Sequence, residues 1–170
     1  MLSQKAKVLQ VLGGITMLNH VMTAANTISN KISVVVGFDK EGVEEEIKKI
    51  GINADTFLQK EQIGTADAVK TTLKNIDKNE KILILYGDVP LIKEETLKKL
   101  CNQESDLSIL TTNLENPSGY GRTLKDKENN VLGIIEEKDA DSEQKKIKEI
   151  FTGILVAKGS VLKKYIPEIN

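Results

Sequence analysis

KILILYGDVPLIKEE, residues 81–95, runs through five apolar or aromatic residues after its first lysine, turns at Gly87 and then presents a carboxylate, Asp88, ahead of Val89-Pro90. So continuous an aliphatic run reads as a strand buried on both faces, the mark of a parallel sheet covered by helices. Pro90 ends the ladder, and Gly87 lets the backbone come close to a ligand. In open α/β sheets ligands gather outside the carboxyl ends of the strands. An acid placed there can hold a hard cation, normally Mg²⁺ with phosphate oxygens completing its shell. By its position alone Asp88 serves equally well as a plain turn cap.

Outward from this stretch the periods alternate. Upstream, TMLNHVMTAANTI (16–28) has helical spacing, ISVVVGF (32–38) is a β-branched run ending at a glycine, and VEEEIKKI (43–50) is an amphipathic helix. ADTFLQ (54–59) reads as a short strand, and TADAVKTTLKNI (65–76) as a helix capped by Thr65. Downstream, EETLKKLC (94–101) is a helix and DLSILTTNL (106–114) a strand. This βαβα rhythm predicts a mostly parallel sheet with helices on both faces. The rhythm breaks at 120–139, which reads as a β-hairpin around KDKENN. SEQKKIKE (142–149) has helical potential, IFTGILVA (150–157) is another strand, and SVLKKYIPEI is a last helix-like stretch. No repeat or linker divides residues 1–170, so one domain is expected.

Composition narrows the function classes. With 170 residues, 39% hydrophobic and 29% charged, the chain is an ordinary globular domain with aliphatics as its core. The formal net charge of −1 gives no electrostatic reason to expect nucleic acid or an anionic membrane as partner. No apolar run approaches the ~20 residues of a membrane span, and the N-terminus does not read as a signal peptide. A single cysteine, Cys101, fits a reducing cytosol, and of the 24 basic residues only Arg122 is an arginine.

Two further segments carry chemistry. FLQKEQIGTADA (57–68) ends a strand in two carboxamides, Gln59 and Gln62, and opens a helix with Gly64-Thr65. Carboxamides offer donor and acceptor together, which suits the edge of a pyrimidine base, and a helix start behind a glycine suits close backbone contact with a polar ligand. NPSGYGR (116–122) is a glycine-rich turn able to approach a ligand; its simplest reading is a turn alone.

Taken in order, KVLQVLGGITMLNHV, LQKEQIGTADA, LYGDVPLI, NPSGYGR, GIIEEKDA and TGILVA make the chain resemble the uridylyltransferase domain of the bacterial bifunctional N-acetylglucosamine-1-phosphate uridylyltransferase/glucosamine-1-phosphate acetyltransferase. The resemblance implies a Rossmann-like, GT-A-related nucleotidyltransferase fold. It implies a cytoplasmic enzyme that joins UTP to N-acetylglucosamine 1-phosphate. The products are UDP-N-acetylglucosamine, for peptidoglycan and lipopolysaccharide synthesis, and pyrophosphate. Carried over by motif, Lys7 is the lysine that neutralises phosphate charge during attack. Gln59, Gln62 and Gly64 read the uracil, with Thr65 their neighbour. Asp88 is a Mg²⁺ ligand, and Gly121 and Glu136 hold the N-acetylglucosamine moiety. His20, the one histidine, is expected to pack rather than catalyse.

The departures point the other way. The family opens with a strand and a glycine-rich loop that wraps the nucleotide phosphates, and this sequence begins at that loop's tail. Ala6 stands for a family proline and Ile15 for a lysine; Phe151 stands for an asparagine that contacts the sugar. The family's second metal ligand and its trimerising β-helix domain are also missing from the sequence. The expectation is a partial domain with weak or lost transferase activity, the alternative being a non-catalytic relic or binding module that keeps part of the uridine and sugar pocket.

Overall fold

The computed structural model describes residues 5–169. The described chain enters through a 3₁₀ turn, Lys7–Leu9, into a hairpin of two short strands, β1 (Val11–Leu12) and β2 (Ile15–Thr16). Gly13 and Gly14 form its two-residue turn with φ of 60° and 95°, the left-handed pair that matches the twist of the flanking strands. The sequence reading placed no hairpin here, although two glycines between apolar pairs are its usual signal. Helix α1 (Met17–Asn26) follows, with Thr16 Oγ1 accepting from the Asn19 amide at 3.1 Å as its cap. His20 Nε2 lies 2.8 Å from the Leu12 carbonyl, tying helix to hairpin.

Strand β3 (Ser33–Val36), helix α2 (Lys40–Ile50) and strand β4 (Asp55–Leu58) make a βαβ unit whose strands pair in parallel. Helix α3 (Thr65–Thr72), strand β5 (Lys81–Ile84), helix α4 (Glu94–Cys101) and strand β6 (Leu107–Asn113) continue the alternation. The predicted hairpin is β7 (Arg122–Lys125) with β8 (Val131–Ile135), and β9 (Glu149–Lys158) leads into α5 (Gly159–Tyr165). The 142–149 segment holds only a 3₁₀ turn, Gln144–Lys146.

The α/β, Rossmann-like architecture is as expected, but the pairing corrects the expectation of a mostly parallel sheet. Strand β9 pairs antiparallel with β5, with β6 and at one position with β7. Because it lies between β5 and β6, these two run the same way without pairing with each other, and the βα rhythm that aligns them cannot reveal the intruder. Only β3–β4 pair in parallel among the described residues.

Residue parity along β5 and β9 shows that both faces are covered. Leu83, Leu85, Ile154 and Val156 pack with Leu100 of α4. Their alternates Ile82, Ile84, Leu155 and Ala157 pack with Val69 of α3 and Leu162 of α5. A third cluster joins Leu18 and Met22 of α1 to Val36 of β3 and to Val43 and Ile47 of α2. The sheet is divided: no hydrogen-bonded strand joins β3 to β5 among the described residues. Residues of both strands line one cavity of about 1260 Å³, together with parts of α1 and α3.

Candidate functional site

Lys7 and Asp88 lie 81 positions apart in sequence and meet on the lining of this cavity, Nζ donating to Oδ2 at 2.6 Å. The 3₁₀ turn presents the lysine, and the turn after β5 presents the acid. Strand β5 stops at Ile84, so Asp88 sits in the turn beyond rather than at the strand end. A Cβ on Gly87 would stand 3.0 Å from Val8 Cγ1. The glycine therefore lets this turn close against the 3₁₀ turn, where the sequence suggested room for a ligand. Hydrogen bonding to Asp88, and then its charge, raise the Lys7 ammonium above its ordinary pKa. No group of three or more His, Cys, Asp or Glu side chains able to hold a metal ion occurs among the described residues, so Asp88 belongs to no larger ligand cluster. One carboxylate fits a cation such as Mg²⁺, which takes one or two carboxylates and completes its shell with phosphate oxygens.

The carboxamide loop stands on the same cavity through Gln59, Gln62, Gly64 and Thr65. Gln59 Nε2 donates to the Gly64 carbonyl at 3.0 Å and to Asp67 Oδ2 at 2.9 Å, which folds the loop onto the start of α3. Gln62 lies over the end of β3, where a Cβ on Gly37 would come within 2.5 Å of its Nε2. Thr65 does not cap α3 as the sequence suggested. Gly64, with φ of 142°, holds the cap position, and Thr65 Oγ1 pairs with the Tyr86 hydroxyl at 3.0 Å. A left-handed glycine makes the turn, freeing the threonine for this contact.

Gly121 and Glu136 adjoin each other but are not among the residues lining the large cavity. A Cβ on Gly121 would be 3.5 Å from Glu136 Oε1 and 2.9 Å from Ile134 Cγ2, so a side chain there would have to displace Ile134. The two groups are linked through β9. The Tyr86 ring lies on Gly153, where a Cβ would overlap Cε2 at 1.8 Å, and the Phe151 amide donates to the Gly121 carbonyl at 3.3 Å. Sequence reasoning missed Tyr86 as the bridge, although it precedes Gly87-Asp88 directly. It missed Glu137 as well, which accepts from the Gly119 amide at 2.8 Å and from Arg122 Nη2 at 2.9 Å. The signal for that pair was the arginine that the composition singled out.

The MobA-like NTP transferase domain profile matches residues 2–138. The chain is 42% identical over 170 residues to bifunctional protein GlmU of Ruthia magnifica subsp. Calyptogena magnifica and 44% identical over 171 residues to that of Francisella tularensis subsp. novicida. Each match covers 99% of this chain and 37% of the relative, so the chain spans little more than a third of their length. Among solved structures, an apo UDP-glucose pyrophosphorylase superposes with a TM-score of 0.76 at 12% identity, covering 95% of this chain and 71% of that one. A glucose-1-phosphate thymidylyltransferase described as putative, from Bacillus anthracis, gives 0.74 at 18%, covering 96% and 67%. Identities this low speak for a shared fold alone.

Proposed function

Because the chain belongs to the MobA-like NTP transferase domain family, we propose that it serves uridylyl transfer from UTP to N-acetylglucosamine 1-phosphate, giving UDP-N-acetylglucosamine and pyrophosphate. The observation that carries this reading is the Lys7–Asp88 pair at the cavity that also takes in Gln59, Gln62, Gly64 and Thr65. A phosphate oxygen of the sugar phosphate attacks the α-phosphorus; a new P–O bond forms, and the bond to the β-phosphate oxygen breaks with pyrophosphate leaving. Such a reaction asks for positioning and for stabilisation of spreading negative charge. The Lys7 ammonium, protonated throughout the neutral range, supplies part of that charge. Asp88 would hold Mg²⁺, which when bound neutralises phosphate charge. Gln59 and Gln62 offer carboxamides to the uracil edge, beside Gly64 and Thr65, while Gly121 and Glu136 hold the sugar. Phe151 presents a ring where an amide would contact the sugar, and this favours a second reading, a binding module that keeps the pocket without turnover. Among the described residues no helix is long and apolar enough to cross a membrane, and a cytoplasmic site of action follows from the same reading.

The test is pyrophosphate release from UTP and N-acetylglucosamine 1-phosphate with Mg²⁺, wild type against K7M. Release that falls by about 10²-fold or more in K7M, as expected for loss of a charge-stabilising group, supports transfer. No release, with UDP-N-acetylglucosamine still shifting the amide resonances of Gln59, Gly64 and Gly121, selects the binding module. Neither release nor shifts would discard both.

A further inference from the structure

Arg122 is the chain's one arginine, and it is only 1% exposed. Lysines supply the cation elsewhere, as in the Lys7–Asp88, Lys31–Glu80, Lys125–Glu149 and Lys158–Asp106 pairs. At this position a planar, forked donor is used. Nη1 donates to the Tyr120 carbonyl, and Nη2 donates to Glu137 Oε2 at 2.9 Å. The same carboxylate oxygen accepts from the Gly119 amide at 2.8 Å. One guanidinium and one carboxylate therefore grip both ends of the Gly119-Tyr120 segment, which Gly119 bends with φ of 85°. A lysine ammonium places its three donors on a single rotatable nitrogen and lacks the rigid, planar fork that holds these two acceptors at a fixed spacing.

The grip acts on the sugar-facing residues from both strands of the hairpin. Gly121 lies between Tyr120 and Arg122, and Glu136 precedes Glu137 directly. The two face each other, Glu136 Oε1 lying 3.5 Å from where a Gly121 Cβ would be. The Gly119 amide, and then the guanidinium, hold the Glu137 carboxyl below its ordinary pKa. We propose that Arg122 and Glu137 are positioning residues that set the Gly119–Gly121 turn against Glu136 and so govern binding of the sugar phosphate rather than of the nucleotide. This rests on the uridylyl-transfer reading for the identity of the ligand. Neither side chain needs to touch the sugar.

A pair that merely glued the hairpin would move stability alone. The experiment uses the full chain as wild type, R122K and E137Q, each with ¹⁵N amide spectra and separate titrations with N-acetylglucosamine 1-phosphate and with UTP. In both variants the Gly119 amide is expected to exchange faster and the resonances of Gly121 and Glu136 to move. Sugar-phosphate affinity is expected to fall at least tenfold, with UTP affinity within about twofold of wild type. R122K/E137Q together should cost no more than either change alone, since they remove one unit. Should R122K not fold, E137Q at its partly exposed site carries the test. Sugar phosphate bound equally by wild type and E137Q overturns the clamp and leaves the transfer reading intact. Equal loss of both ligands overturns the selective role. A wild type that binds neither ligand overturns the transfer reading, and the assignment of the clamp to sugar phosphate with it.

Discussion

At the scale of single residues, the site is organised by contacts between positions far apart in sequence. Lys7 and Asp88 were individually legible, the lysine through a motif and the acid through its place after an aliphatic run. That they meet at 2.6 Å was not, because nothing local ties a 3₁₀ turn to a turn after β5. The pair has a measurable titration. Its hydrogen bond and charge raise Lys7 above the ordinary 10.5, so its stabilisation is complete at neutral pH and is lost as pH rises through the raised value. With the Lys7 side chain 64% exposed, solvent keeps that stabilisation small. In D88N the Lys7 midpoint should fall back toward 10.5, read from the ¹³Cε shift in a pH titration. A midpoint unmoved by the substitution would mean that the pair does not persist in solution. Arg122 shows the converse limit of sequence reading: its rarity was visible, but its burial and two acceptors were not.

At the scale of elements, period and turn chemistry carried most of the information. The reading of α4 over 94–101 coincides with the observed helix, because its apolar positions Leu97 and Leu100 are both buried on one face. Helix α2 begins three residues earlier than its apolar pattern, at Lys40, because Asp39 in a left-handed conformation (φ 56°) starts it. The β1–β2 hairpin went unread because two-residue strands carry no period, leaving only the Gly13-Gly14 pair as a cue. That pair gives an element-scale prediction. Alanine at Gly14 meets no neighbouring atom, yet its φ of 95° lies where side-chain-bearing residues are strained. G14A should therefore destabilise by about 1 kcal/mol through backbone strain alone. Urea unfolding would record this as a lower midpoint at unchanged slope, and an unchanged midpoint would show that the hairpin contributes nothing to the fold.

At the scale of the whole molecule, the divided sheet is the main departure from the sequence reading. Alternation of strands and helices reports direction and order in the chain, not which strands become neighbours. It could therefore give neither β9's insertion between β5 and β6 nor the separation of β3 from β5. Strand β3 pairs with β4 and strand β5 with β9, so each has one edge without a strand partner among the described residues. Alternate amides along a strand point to opposite edges. Hydrogen exchange by NMR should accordingly show fast and slow amides alternating along β3 and β5. The amides of β9 that pair on both sides with β5 and β6 should be uniformly slow. Uniform protection along β5 would show that its second edge is covered in solution.

The place of β9 in the chain also bears on how the protein is made. Its partners are distant in sequence: Ile84 pairs with Leu155 and Ile109 with the same residue. As the polypeptide leaves the ribosome, β5, β6 and the β7–β8 hairpin emerge before the strand that joins them. Until residue 158 is clear of the exit tunnel, the five-stranded sheet has no centre, and β5 and β6 wait without the partner they share. A nascent chain stalled before β9 should remain open to protease and to chaperones, and the sheet should assemble in one late step.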